Sequence, residues 1–239
     1  PGLDQIAQGL GGIMSVTGEP GRGPMRAGIP VADLSSGLFC AIGTLVALLE
    51  REESGEGQWV QSSLLQSQVW MMDFQIMRWL MNKEIPGQTG NDHPTTAATG
   101  VYPTADGYIN LAAMGTEMFI KLVTAIGLPE LAEDPRFKLL KTRGQNRPAL
   151  NAAIAARTQQ EPTADWIELL NKAGVPCGSI KNVKETMEDP QVVHLGMAKT
   201  IQHPNLGEIS VVNHPVIMSR SKREVFTAAP DRGEHNKEV

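Results

Sequence analysis

The stretch that most constrains the fold is "AGIPVADLSSGLFCAIGTLVALLERE", residues 27–52. A lone acid, Asp33, stands before sixteen residues without a charge, and the next charge is Glu50. Leu34, Leu38, Ile42, Leu45, Val46 and Leu49 recur every three or four positions, which predicts a helix from about Leu34 to Arg51. Phe39 and Ala41 widen the apolar face almost all round, so deep burial is expected. Ser35, Ser36, Gly37 and Gly43 interrupt the run, which reads as a buried soluble helix rather than a membrane span. "SGEGQ" (54–58) ends it, with Gly55 and Gly57 supplying the positive φ that a turn needs.

A helix of this kind needs a sizeable domain around it. The chain of 239 residues is long enough for one large domain or two smaller ones. Hydrophobic residues make up 41% and charged residues 20%, as in ordinary globular proteins. A net charge of −5, without clustered Lys and Arg, argues against a nucleic-acid partner. Cys40 and Cys177 have no CxxC or Cys/His ligand spacing, so a reducing, cytoplasmic setting is expected. The opening "PGLDQIAQGL" and closing "GEHNKEV" suggest a piece of a longer protein.

Texture divides the chain. Residues 5–17 carry Ile6, Leu10, Ile13 and Met14 at helical spacing, and the Gly- and Pro-rich 17–28 is a loop. "WVQSSLL" (59–65) fits a short strand, followed by a Met-rich helix over about 65–81. That helix is either irregular core or a surface for a flexible apolar ligand. "IPGQTGNDHPTTAATG" (85–100) is too long for a plain connector. A β-hairpin over 100–114 should turn near Ala105-Asp106-Gly107. Helices are expected at about 116–127, 145–157 and 162–173, then a short strand within 173–180. A short helix and an irregular segment follow over 183–197, and a second hairpin over 198–219 turns at "HPNLGE". The divisions are therefore 1–82 as a mostly helical first part, 83–92 as linker, 93–180 as a small α+β domain, and 181–239 as a segment returning toward the first part.

Asp33 has two roles open to it. At a helix N-terminus, an aspartate caps orphan N–H groups and interacts well with the helix dipole. The same setting suits a carboxylate nucleophile, which can form a covalent acyl intermediate. Spacing alone leaves both open. His93, His203 and His214 each precede Pro, and no HExxH pair or other metal-ligand spacing occurs. Ser35 and Ser36 lack a GxSxG elbow and have no His nearby in sequence, and "GRG" (21–23) lacks the frame of a phosphate loop.

The order of the pieces carries more than any one of them. "PGLDQIAQGLGGIMSVTGEPGRGPMRAGIPVADLSSGLFCAIGTLVALLERE" followed by "SGEGQWVQSSLLQS" closely resembles the class III CoA-transferase family, which includes formyl-CoA:oxalate and carnitine CoA-transferases. The resemblance continues through "GNDHPTTAATGVYPTADGYINLAA", "GVPCGSI" and "DPQVVHLGM" to "RGEHNKEV". It implies an α/β fold: a Rossmann-like large domain, only partly present here, plus a small α+β domain, with two chains interlocked as rings in a homodimer. In that family the Asp of the "VAD…SG" segment is the nucleophile, which is Asp33 here. The substrates are a coenzyme A thioester, an acyl-CoA, and a carboxylic acid. No permanently bound cofactor, metal or membrane is implied. Asp33 would attack the thioester to give a mixed anhydride, the released CoA thiolate would take part in reacylation, and the acceptor would leave as the new thioester. A mobile lid, glycine-rich in some members, corresponds to "GNDHPTTAA" (90–98), so Gly90, Asn91, His93 and Pro94 are expected to form it, without the glycine tract.

The sister branch of 2-methylacyl-CoA racemases is similar over this region but transfers protons. Its His base falls at Leu3 and its acidic partner at Gly115, and both departures argue against racemisation. A third reading, from another class, is an inactive interaction module left by truncation. Family CoA contacts lie mostly before the first residue and are not assigned.

Overall fold

The computed structural model describes residues 2–221 and 226–237. It divides into two compact units, Pro1–Ser179 and Ile180–Val239. It is a mixed α/β fold.

The first unit opens with α1 (Asp4–Leu10) and α2 (Ile13–Val16). The single helical pattern over 5–17 breaks at Gly11-Gly12, where Gly12 takes φ 90°. Gly11 is required by close approach: a Cβ there would lie 2.3 Å from the Gln68 side chain. α3 (Val31–Ser54) starts three residues earlier than its apolar periodicity and ends on Gly55 at φ 76°. The strand expected at 59–65 does not form. Trp59 is exposed, no strand lies alongside, and Ser63 instead caps α4 (Leu64–Met71) by accepting the Gln66 amide at 3.2 Å. The Met-rich helix is two helices, α4 and α5 (Phe74–Asn82), broken at Asp73 with φ 45° and ψ −125°. That backbone region suits glycine and costs an L-residue on the order of 1 kcal/mol or more. Asp73 makes no capping bond that would offset it. Asp73→Gly should therefore raise the stability of the intact protein by about 1 kcal/mol, read as a higher urea midpoint at unchanged slope.

The expected burial of α3 is not what the structure shows. Leu34, Leu38, Ile42, Leu45, Val46 and Leu49 are all between 53% and 72% exposed. The buried residues of α3 are Ala32, Ser35 and Ser36. The reason is geometric: the helices packed against α3 are α1 and α4, and they meet its small residues. The hydroxyls of Ser36 and Ser62 lie 3.3 Å apart, and those of Ser62 and Ser67 3.2 Å. The apolar stripe of α3 is left exposed by the helices packed against it in its own unit. By length and composition α3 could cross a bilayer, with a mean hydropathy of 1.8 over its apolar window.

The principal hydrophobic core lies between Ala97 and Cys177. β1 (Thr99–Pro103) and β2 (Tyr108–Ala112) form the expected hairpin, with Thr99 opposite Ala112. β3 (Cys177–Ser179) adds antiparallel to β2, giving the order β1-β2-β3. Alternation buries Tyr102 on β1 and Ile109 and Leu111 on β2. Three helices contribute to the core: α6 (Gly115–Ala125) with Phe119 and Leu122, α8 (Arg147–Thr158) with Leu150 and Ile154, and α9 (Thr163–Lys172) with Trp166 and Leu170. Between them lie a 3-10 turn over Pro129–Ala132 and α7 (Leu140–Gln145). Among the described residues both sheets are antiparallel, so no Rossmann-like parallel sheet is formed here.

The hairpin turn also starts α9. Asp106 accepts from the amide and the hydroxyl of Thr163, both at 2.8 Å, and these bonds hold its carboxyl below the usual range. A depressed carboxyl stabilises the fold above its unfolded pKa and loses that contribution as pH falls through the folded value. Asp106→Asn should lower Tm at neutral pH, and its gap from wild type should shrink below about pH 4.

The second unit, by itself, holds α10 (Val183–Met187), α11 (Pro190–His194), β4 (Ala198–His203) and β5 (Gly207–Val212). Asn182 and Glu185 form a reciprocal capping box on α10, and Asp189 caps α11. β4 and β5 pair antiparallel from Ala198–Val212 to His203–Gly207, a shorter hairpin than 198–219.

Candidate active site

Asp33 is not the cap of α3. The N-cap is Pro30, and Asp33 lies in the first helical turn. Its side chain is exposed and makes no hydrogen bond or ion pair with the other described residues. Capping falls to a different acid. Asp4, 9% exposed on α1, accepts the Ala32 amide at 3.0 Å through Oδ1. Its Oδ2 accepts from Gln8 Nε2 at 2.7 Å. Gln8, fully buried, also donates to the Ile29 carbonyl at 3.1 Å and accepts the Ala27 amide at 2.9 Å. One helix thus clamps residues 27–32, the segment that delivers Asp33. The amide of Val31 returns to Ile29 and that of Leu34 to Pro30. With Ala32 held by Asp4, three of the first-turn donors have acceptors. An exposed carboxylate on a rigid first turn, next to the positive end of a 24-residue helix, is open to an electrophile.

Asp4 and Gln8 were missed by sequence reasoning. Their i, i+4 spacing on α1 was the available signal. Arg26 completes the cluster, with its guanidinium 3.7 Å from Asp4 Oδ2.

The expected lid is tied down. Asp92 accepts twice from Asn151 Nδ2, at 3.0 Å, and Asn151 Oδ1 accepts from Tyr102 OH at 2.9 Å. Burial, with the Asp92 charge nearby, pushes the Tyr102 phenol far up, so it stays a donor. Arg147 donates to the carbonyls of His93 at 2.7 Å and Pro94 at 3.4 Å. The His93 ring stacks on Phe74 at 6.0 Å between centroids. Its Nδ1 accepts the amides of Thr95 and Thr96, at 3.3 and 3.2 Å. Gly90 sits at φ 60°, and a Cβ there would meet the Glu19 carboxylate at 2.8 Å. Its amide donates to Gly18 O, and Gln88 donates to Thr17 O and Gly23 O. The loop preceding α3 and the loop at 88–90 are therefore bonded together. Asn91 is exposed. No hydrogen bond joins Asp33 to residues 90–94 among the described residues.

The two racemase positions carry no acid or base. Leu3 is the exposed N-cap of α1, and Gly115 opens α6 at φ 83°. Ser35 is buried and donates to Ala32 O, a structural bond. Gly21 and Gly23 stand in open space, as a solvent loop requires.

Comparison with known proteins bears on this arrangement. The model of CoA-transferase family III matches residues 1–236. The chain is 36% identical to a succinyl-CoA–D-citramalate CoA-transferase of Chloroflexus aurantiacus, over 100% of this chain and 60% of that protein. It is 33% identical to a succinate–glutarate CoA-transferase of Agrobacterium fabrum, again over 100% and 60%. The crystal structure of a CAIB/BAIF family protein from Brucella suis superposes with a TM-score of 0.80 at 34% identity, covering 99% of this chain and 61% of that one. The chain thus spans about three fifths of the relatives it matches. With sequence and fold alike from end to end, the chain belongs to CoA-transferase family III.

Proposed function

We propose that the protein containing this chain transfers CoA from an acyl-CoA thioester to a dicarboxylic acid, with Asp33 as nucleophile. The observation that carries this is the exposed, partnerless Asp33 carboxylate on a clamped first turn, in a chain of this family. The acids named for the relatives, succinate, glutarate and citramalate, support a dicarboxylic substrate. Asp33 Oδ attacks the thioester carbonyl, the C–S bond breaks, and CoA thiolate leaves an acyl–aspartyl anhydride. Thiolate then attacks the aspartyl carbonyl, freeing the donor acid and forming an aspartyl–CoA thioester. The acceptor carboxylate displaces thiolate to give a second anhydride. Thiolate attack on its acyl carbon yields the new acyl-CoA and restores Asp33. Of the first-turn amides of α3, those of Val31, Ala32 and Leu34 are already taken by Ile29, Asp4 and Pro30, which leaves the Asp33 amide as the one suited to an oxyanion. Gly90, Asn91, His93 and Pro94 form a lid that α8 holds at 92–94 and the loop before α3 holds at Gly90, rather than a free glycine loop.

The exposed stripe of α3 and the exposed Trp79, Leu80 and Met81 of α5 support further contacts. In this reading they are covered within an interlocked homodimer and by a Rossmann-like large domain. The divisions 1–82, 83–92, 93–180 and 181–239 are its functional parts. The free Cys40 and Cys177 suit the cytoplasm.

The mechanism passes an acceptor oxygen to the aspartate. With succinyl-CoA and carboxyl-18O glutarate, the intact protein should gain 18O in the peptide bearing Asp33. Sustained CoA transfer with no label in that peptide would exclude Asp33 as nucleophile.

A further inference from the structure

We infer that Arg26 binds the distal carboxylate of the dicarboxylic substrate and so sets the preference for dicarboxylic over monocarboxylic acids. This rests on the reading of Asp33 as nucleophile. A dicarboxylate carries a second negative charge to a place already holding Asp33 and Asp4, so a cation must meet it. The first 82 residues contain four arginines and no lysine. Arg51 lies in the last turn of α3, at the end opposite Asp33. Arg78 pairs with Glu84 and donates to Gln75 Oε1 at 2.9 Å. Arg22 stands on the exposed loop between Gly21 and Gly23. Arg26 remains.

Its backbone is fixed on both sides. The Met25 amide donates to Met14 O at 3.1 Å, and the Ala27 amide to Gln8 Oε1 at 2.9 Å. Its side chain is 45% exposed, so a ligand can reach it. Its approach to Asp4 Oδ2, at 3.7 Å, is too long for a hydrogen bond. Asp4 does not depend on it, because Gln8 and the Ala32 amide already donate to the two oxygens. The guanidinium fork therefore keeps its donors for a second carboxylate, the partner it matches two-pronged. It also has a defined position. Arg26 and the Ala32 amide face opposite oxygens of one carboxylate, so the cation stands beside the first turn that presents Asp33. In the proposed reaction the substrate is joined to Asp33 through one carboxyl, and Arg26 is the cation that this helix start offers to the other.

The test compares glutarate with pentanoate, the same chain length without the second charge, using acetyl-CoA as donor to the intact protein. Arg26→Gln should lower the glutarate-to-pentanoate ratio of kcat/KM on the order of 100-fold, with Arg26→Lys recovering part of it. Arg22→Gln should leave the ratio as it is. Where pentanoate turnover is too slow, the inhibition constants of the two acids against succinate as acceptor give the same ratio. An unchanged ratio in Arg26→Gln overturns the assignment, whether or not total activity falls. A rise in KM for acetyl-CoA that is equal with both acceptors also overturns it, because it would place Arg26 on the CoA moiety. The 18O experiment on wild type separates the two levels. Label in Asp33 with an unchanged ratio removes Arg26 alone, and no label removes the nucleophile and this inference with it.

Discussion

Asp33→Asn in the intact protein should lower CoA transfer on the order of 10,000-fold while leaving Tm within about a degree of wild type. The amide keeps the size of the side chain but not the nucleophilic oxygen pair. Removing a covalent nucleophile typically costs this much or more, since no other group takes over the step. Tm should hold because Asp33 is exposed and neither caps α3 nor pairs with another described residue. Asn can deamidate back to Asp, so Asp33→Ala belongs beside it, and both variants should agree. The measurement is the initial rate of glutaryl-CoA formation from succinyl-CoA, with melting followed by circular dichroism. Transfer within tenfold of wild type in the Ala variant would remove Asp33 from the chemistry. A fall of several degrees in Tm would instead show that the first turn of α3 depends on it.

Arg143→Met should destabilise the core between Ala97 and Cys177 by about 3 kcal/mol or more. Arg143 is fully buried with no carboxylate partner among the described residues. Its Nε donates to Phe137 O at 2.9 Å, and its two terminal nitrogens donate to Gly115 O and Lys138 O, each at 3.3 Å. The guanidinium carbon sits 3.8 Å from the centre of the Phe119 ring. Burial lowers its pKa, the direction expected for a cation with no counter-ion. Met fills much of the volume but leaves three carbonyls without these donors. Arg143→Lys should not rescue it, because one ammonium cannot span carbonyls arranged for a planar fork. Urea unfolding of the intact protein, with hydrogen exchange read on β1 and β2, measures the loss. A change under 1 kcal/mol would mean that water replaces the three bonds without cost.

Much of the fold was legible in the order of residues. The 100–114 hairpin, its turn at Asp106 and the helices α6, α8 and α9 follow from periods of 2 and 3.6 and from Gly and Asp at the turns. Each of those signals acts over a few residues. The errors have the same origin. "WVQSSLL" has strand chemistry, but a strand needs a neighbour to bond with, and none lies beside it here. The Met-rich helix has an unbroken helical composition, yet Asp73 leaves the helical region, and I-to-i+4 periodicity does not register one reversed residue.

The site divides in the same way. Asp33 could be singled out through its flanking residues, and of its two open roles the structure withholds the cap, which falls to Asp4. Asp4 was not, because what makes it matter is an amide 28 residues away. Residues 90–94 could be singled out, but not their attachment. Arg147 and Asn151 reach them across 54 and 59 residues, and no local pattern encodes that contact.

The sequence by itself determined where the chain is helical, where it turns, that Asp33 heads its longest helix, and which family the order of motifs resembles. Only the tertiary structure decided that a second acid holds that helix start, that the segment at 92–94 is strapped to α8, and that the apolar stripe of α3 is exposed. The physical reason is range. Secondary structure follows from neighbours within about one helical turn, whereas capping across helices, loop anchoring and burial depend on which distant groups the folded chain brings within hydrogen-bond reach.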